Sequence, residues 1–238
     1  MKILIPMAGE GSRFVKEGYT FPKPLIEVNG KPMIQVVVEN LDFNCEYIFL
    51  VRQSHIEKYS GFINTLSRIT NGNFKYVVVD KLTEGAACTA LLAEEFINNE
   101  EDLLIANSDQ FIEYERENFN MIKNITSVDS IVFSFNAVHP KWSFVKTNSR
   151  GFVTEVAEKK PISNIATCGI YWYRRGSDFV KYAKEMIEKN VRVNNEFYIA
   201  PVYNELIKDE KLLIPFYVSK MWGLGTPEDL KDFLKGKK

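Results

Sequence analysis

The sequence is short of histidine and cysteine, with two and three in 238 residues, and its charges nearly cancel: 30 Lys and Arg against 31 Asp and Glu, a formal net charge of −1. Each shortage excludes a class of function. His55 and His139 are isolated, and neither suits a metal pair or a nucleophile dyad. Cys45, Cys88 and Cys168 are odd in number, widely spaced and set in apolar surroundings. They read as reduced core thiols of a cytoplasmic protein, not as a disulfide or zinc set. Balanced charge argues against general nucleic-acid binding, which wants a strongly basic face. No apolar run approaches the roughly 20 residues that span a bilayer. The opening Met1-Lys2-Ile3-Leu4-Ile5-Pro6 is too short for a signal peptide and reads as a first strand. Repeats, low-complexity tracts and linkers are missing too, so one compact soluble unit is expected from the 45% apolar content.

What is present is a regular alternation. β-rich runs at Ile3–Met7, Tyr47–Val51, Tyr76–Val79 and Leu103–Ala106 are separated by helical stretches near Pro32–Leu41, Ser54–Ile69 and Ala86–Ile97. Such alternation means right-handed crossovers and a mostly parallel sheet, with ligands outside the carboxyl ends of its strands. After about residue 125 the texture changes to strand-like runs, Ser130–Val138, Ser143–Lys146, Val153–Glu158 and Ala166–Tyr173. Helices near Asp178–Lys189 and Tyr198–Lys208, a strand near Leu212–Val218 and a last helix over Pro227–Leu234 follow, with Thr226 as its N-cap. A nucleotide-binding half (1–125) and an acceptor half (126–238) are expected within the one unit.

The first strand empties into Met7-Ala8-Gly9-Glu10-Gly11-Ser12-Arg13-Phe14, and Phe21-Pro22-Lys23-Pro24 follows closely. Glycines there let backbone N–H groups approach a ligand, and Arg13 and Lys23 add fixed positive charge beside the loop. These are the parts needed to hold a triphosphate and to neutralise charge during phosphoryl transfer. Neither common phosphate motif fits. Phe14 occupies the third glycine position of the dinucleotide fingerprint, and no Gly-Lys-Ser/Thr follows at P-loop spacing.

This signature resembles the N-terminal segment of the sugar-phosphate nucleotidyltransferases, or NDP-sugar pyrophosphorylases. The similarity recurs at Glu84-Gly85-Ala86-Ala87, Asn107-Ser108-Asp109, Glu158-Lys159-Lys160-Pro161, Gly169-Ile170-Tyr171, Glu196-Phe197-Tyr198 and Gly225-Thr226-Pro227-Glu228-Asp229-Leu230. It implies a Rossmann-like three-layer α/β nucleotidyltransferase fold, with a mostly parallel central sheet and an added smaller β-rich acceptor region. It also implies that Ala8, Gly9, Gly11, Ser12 and Ser108 bind nucleotide, that Glu84, Gly85 and Ala86 read the base, and that Asp109 holds Mg²⁺. Read from the strand alone, Asp109 serves equally well as a turn cap.

On the acceptor side the resemblance assigns Glu158, Lys159, Glu196 and Tyr198. A second lysine, Lys160, leaves the phosphate contact open, and strand alternation would put Lys159 and Lys160 on opposite faces, with Lys159 favoured. Asn195 could instead cap a helix with Glu196 in its first turn, and Phe197 and Tyr198 could be core. Lys141-Trp142-Ser143-Phe144 is a further candidate wall, with core packing as the alternative. One departure stands out: many relatives carry a second metal aspartate just before Gly-Thr, where this chain has Gly223 and Leu224.

The implied reaction is attack by an acceptor phosphate on the α-phosphorus of a nucleoside triphosphate, with loss of pyrophosphate. Arg13 and the loop would hold the leaving phosphates, Lys23 the α-phosphate and Lys159 the incoming one. A pyrimidine base is weakly indicated by the small residues at 86–88, and a sugar 1-phosphate is the default acceptor; cytidylyl transfer to a non-sugar phosphate stays open. A glycosyltransferase would want Asp-x-Asp at the end of the fourth strand, where Asn107-Ser108-Asp109 stands. A non-catalytic nucleotide sensor draws support from the missing aspartate and none from the intact Arg13 and Lys23. A homo-oligomer is open, and surface-polysaccharide biosynthesis is the usual setting of such enzymes.

Overall fold

The computed structural model describes residues 1–237. Its first strand, Lys2–Pro6, is buried on both faces, with Leu4 in one core and Ile3 and Ile5 in the other. It pairs in parallel with Glu46–Arg52 on one side and Leu103–Ala106 on the other, and Phe74–Val79 extends the parallel run beyond Glu46–Arg52. A strand covered on both faces needs apolar residues at successive positions, which is why Lys2–Pro6, Glu46–Arg52 and Leu103–Ala106 carry continuous hydrophobic runs, while Phe74–Val79 at the sheet edge is only partly buried. Helices Met33–Leu41, Phe62–Ile69 and Arg116–Lys123 pack on the Ile3 face, and Ala86–Leu91, Gly176–Glu188 and Tyr203–Lys208 on the Leu4 face. Three layers result.

Beyond Leu103–Ala106 the sheet changes direction. Ile165–Tyr173 runs antiparallel to it, Ser130–Asn136 lies antiparallel on the far side, and Leu213–Tyr217 joins parallel to Ser130–Asn136. One nine-stranded sheet therefore runs through both halves of the chain. Ile165–Tyr173 is interrupted between Thr167 and Tyr171. Gly169 sits in that bulge at φ 74, where a Cβ would come within 2.2 Å of Asn107 Nδ2. Glycine alone satisfies both constraints. The first half of the strand meets Ser143–Thr147 through Ala166 and Phe144, and Val153–Glu158 pairs outside that.

Several expected elements are subdivided. The stretch over Ser54–Ile69 forms two helices, Gln53–Lys58 and Phe62–Ile69, because Tyr59 breaks away to give its hydroxyl to the Thr20 carbonyl at 2.6 Å and Gly61 weakens continuation. Ala86–Ile97 divides into Ala86–Leu91 and Glu94–Ile97, with a turn that keeps Ala93 and Ile97 buried beside Ala87 and Ala90. The helix expected from Tyr198 starts only at Tyr203, after a 3₁₀ turn over Ala200–Val202 in which Pro201 supplies no N–H. Thr226 does cap the last helix, Pro227–Gly236, accepting the Asp229 N–H at 3.1 Å.

A small antiparallel pair, Gln110–Glu113 with Lys220–Gly223, was not expected. It brings the Leu224 N–H to the Asp109 carbonyl at 2.7 Å and so fixes the chain's C-terminal motif against the end of Leu103–Ala106. A third apolar cluster, built on Phe14, Ile26, Val28, Met33, Leu224, Leu230 and Phe233, ties the glycine loop to the last helix.

Candidate active site

A cleft of about 730 Å³ lies at the carboxyl ends of the parallel strands, where the bulged strand diverges. Gly11, Ser12 and Arg13 form one wall with Lys23 and Asp109. Gly11 is left-handed at φ 62, and its α-carbon faces Lys23 so closely that a Cβ would sit 3.0 Å from the Lys23 Cβ. Phe14, 1% exposed, anchors the short helix Ser12–Lys16 in the third core, leaving Arg13 exposed and without an ion pair among the described residues. Lys23 follows Pro22 at the start of a 3₁₀ turn, and its ammonium is ion-paired with Asp109. A smaller adjoining cavity is lined by Gly9, Gly11, Ser108 and Asp109.

The opposite wall is made of side chains from separate strands. Glu158 accepts a hydrogen bond from Ser143, and burial, only partly offset by that bond, raises its pKa. Thr167 and Tyr171 exchange a hydrogen bond at 3.2 Å beside them. Lys159 does not continue the strand alternation: the strand ends at Glu158, and Lys159 turns left-handed at φ 55. Its ammonium thereby reaches the Tyr198 hydroxyl and lies 4.5 Å from that ring's centre. Lys159 lines the cleft, whereas Lys160 is exposed and lies outside its wall. Lys141, Trp142 and Ser143 line it too, while Phe144 is fully buried in the sheet.

Other candidate residues stand elsewhere. Ala8 packs in the core with Leu4. Glu84 is exposed and paired with Arg192, and Gly85 faces not the cleft but the Phe197 backbone, 2.4 Å from where its Cβ would be. At φ 135 Gly85 is therefore glycine for the sake of a chain crossing. Only Ala86 of that trio reaches the cleft wall. Asn195 caps no helix: Asn194 and Asn195, both at positive φ, form a two-residue turn between Val193 and Glu196. Glu196 is exposed, outside the wall but near enough to raise the pKa values of Glu158 and Tyr198, which burial raises first. Cys168 reaches the wall, yet burial pushes its thiol well above its ordinary pKa and no cation opposes that, so it is no nucleophile. The three cysteines are free. Gln110 and Thr167 line the cleft unannounced by any chemistry-bearing pattern, and Tyr171 and Asp229 line it from within motifs of the resemblance that gave them no site role.

Residues 2–236 match the nucleotidyl transferase family. The chain belongs to that family. Among its relatives, the bifunctional protein GlmU of Methanocaldococcus jannaschii is 26% identical over 215 residues, covering 89% of this chain and 48% of that one. A bifunctional sugar-1-phosphate nucleotidylyltransferase/acetyltransferase of Sulfurisphaera tokodaii is 25% identical over 241 residues, covering 99% and 55%. The chain thus spans about half the length of the curated relatives it matches. A solved nucleoside-diphosphate-sugar pyrophosphorylase from Vibrio cholerae RC9 superposes with a TM-score of 0.83 at 26% identity, covering 98% of this chain and 99% of that one. A UDP-glucose pyrophosphorylase complexed with UDP-glucose, 22% identical with a TM-score of 0.79, covers 99% and 97% and shares the fold.

The residues present fit a divalent cation in one respect. Asp109 occupies a cradle left by glycine, its Oδ2 lying 2.6 Å from where a Gly225 Cβ would stand. Among the described residues no group of three or more His, Cys, Asp or Glu converges to hold an ion. Mg²⁺ at Asp109 would therefore draw most of its ligands from phosphate oxygens and water, as it commonly does. No helix among the described residues is long and apolar enough to cross a membrane.

Proposed function

We propose that the cleft transfers a nucleotidyl group from a nucleoside triphosphate to the phosphate of a small acceptor, a sugar 1-phosphate, releasing pyrophosphate. The observation that carries this reading is the Lys23–Asp109 pair beside the glycine loop, facing Lys159 across one cleft. Membership of the nucleotidyl transferase family supports the reaction class. The likeness to the Vibrio cholerae protein over nearly the whole of both chains supports a sugar phosphate as acceptor.

An acceptor phosphate, with its second pKa near ~6, is already ionised at neutral pH and needs no general base. One of its oxygens forms a bond to the α-phosphorus; the bond from that phosphorus to the bridging oxygen breaks, and pyrophosphate leaves with the electron pair. Arg13 and the Gly9–Gly11 amides hold the departing phosphates, Lys23 neutralises charge at the α-phosphate, and Lys159 orients the incoming phosphate. Glu158, Ser143 and Tyr198 select the acceptor's hydroxyls. Mg²⁺, held by Asp109, would supply charge neutralisation on the phosphates. Catalysis is then positioning and electrostatics.

The test is pyrophosphate release with Mg²⁺ across CTP, UTP, dTTP, GTP and ATP, crossed with sugar and non-sugar phosphates, with Asp109→Asn as control. Release that requires one base, a pyrimidine, and one acceptor, and is lost in the control, is expected. Nucleotide-induced rise in melting temperature without turnover on any acceptor would favour a sensing module, and turnover of a ready-made nucleotide sugar would favour a glycosyltransferase.

A further inference from the structure

Leu224 is fully buried against the cluster containing Phe14, Met33 and Phe233, so the glycines on either side of it present their open faces to the cleft, and both line it. A carboxylate covers each face. Asp109 Oδ2 lies 2.6 Å from the position of a Cβ on Gly225. Asp229 Cγ and Oδ2 lie 3.1 and 3.3 Å from the position of a Cβ on Gly223. Residues two apart on an extended chain are separated by roughly 6.5 Å, so the two carboxylates are neighbours on one wall.

Each is balanced by an ammonium group, Lys23 on Asp109 and Lys141 on Asp229, the latter at 3.0 Å. Gln110 pairs directly with Gly223 and is 2% exposed. Its Oε1 is buried, lies 3.0 Å from where a Gly169 Cβ would stand, and has no hydrogen-bond partner among the described residues; Gln110 and Gly169 both line the same cleft as the two acids. Asp229 also belongs to the cap of its helix, accepting the Thr226 hydroxyl at 2.9 Å. The cap itself is the Thr226 oxygen accepting the Asp229 N–H, and it requires neither a carboxylate at 229 nor a glycine at 223.

We infer that Asp229 is the second carboxylate of the divalent-cation site, reaching from the first turn of the last helix into the space that an acidic side chain at position 223 would fill. The inference rests on the proposed nucleotidyl transfer. It explains how the chain can lack an acid before Gly225-Thr226 and still present two acids to one cation, and why Gly223 carries no side chain. It also gives Lys141 a role: freed from Asp229 when a cation arrives, its ammonium can turn to a phosphate oxygen.

The test uses the full chain with Mn²⁺ in place of Mg²⁺ and inorganic pyrophosphate as the probe, free Mn²⁺ being read by electron paramagnetic resonance. Pyrophosphate is a product whatever the base and acceptor, so this readout needs neither identified. Asp229→Asn keeps an oxygen that accepts the Thr226 hydroxyl and is expected to weaken Mn²⁺ binding on the order of ten-fold while melting like the wild type. The double variant Gly223→Asp/Asp229→Ala, which moves the carboxylate back to 223, is expected to regain affinity. Wild-type Mn²⁺ affinity in Asp229→Asn, with loss in Asp109→Asn, would make Asp229 a cap only and overturn the inference. A double variant that melts like the wild type and binds no Mn²⁺ would overturn it as well. Undiminished binding in both single variants would instead remove the cation from Asp109 and sink the proposed function's own charge arrangement.

Discussion

The two walls of the cleft are built on different principles. The wall proposed for phosphate, Asp109 apart, comes from one stretch of chain, the loop after Lys2–Pro6 and the turn carrying Lys23, and would work through backbone amides and two cations. The wall proposed for the acceptor gathers Ser143, Glu158, Thr167, Tyr171 and Tyr198 from four segments, and would work through individual side chains. The first arrangement suits a ligand part common to all nucleoside triphosphates. The second suits a part that differs from one acceptor to the next, because side-chain hydrogen bonds discriminate where backbone and charge do not.

The largest expected effect is at the phosphate wall. Lys23→Met should lower the transfer rate by about 10²–10³ with every acceptor, as loss of a transition-state charge partner does; a rate that falls with one acceptor and not another would erase the distinction between the walls. Two glycines then separate folding from binding. Gly85→Ala should cost on the order of 3 kcal/mol or more in a denaturant melt, because its Cβ would overlap the Phe197 backbone at a φ that L residues avoid. Gly9→Ala meets nothing within 4 Å, so stability should change by less than ~0.5 kcal/mol. Calorimetric pyrophosphate binding should nevertheless weaken in Gly9→Ala if the loop amides hold phosphate, and unchanged binding would remove Gly9 from the site.

On the acceptor wall the effects are smaller and selective. Lys159→Ala should raise acceptor KM on the order of ten-fold with little change in nucleotide KM, and Lys160→Ala should change neither. Glu158 gives a pH signature. Burial holds its pKa above the unfolded value, so the folded state binds the proton more tightly, and its contribution to stability is full at low pH and lost as pH rises through the folded pKa. Glu158→Gln should therefore raise the melting temperature at neutral pH, flatten that part of the pH profile and reduce acceptor turnover. A variant that melts lower at neutral pH would show that the ionised carboxylate stabilises the wall.

Much of the fold was legible because it is local. Leu103–Ala106 and Val153–Glu158 begin and end where their apolar patterns do, and Thr226 caps the helix its side chain marks. The helix breaks at Tyr59 and Leu92 were not legible, since they answer to distant partners, Thr20 and the core around Ala93. Lys159, favoured over Lys160 on the resemblance, lines the cleft by a left-handed turn after Glu158 and not by the strand alternation expected of the pair.

Periodicity by itself determined the buried parallel sheet, and short motifs carried the cationic glycine loop and the family resemblance, because hydrophobic period and loop chemistry are properties of contiguous residues. Only the tertiary structure decided which carboxylates line one cleft. Asp109 and Asp229 are 120 positions apart in the sequence, and Gly223 reads as a gap until the last helix lays Asp229 beside it. The reason is physical: a cleft wall is fixed by how strands diverge and helices dock, and burial of Leu224, Leu230 and Phe233 in one apolar cluster sets that docking with no chemistry of its own to announce it.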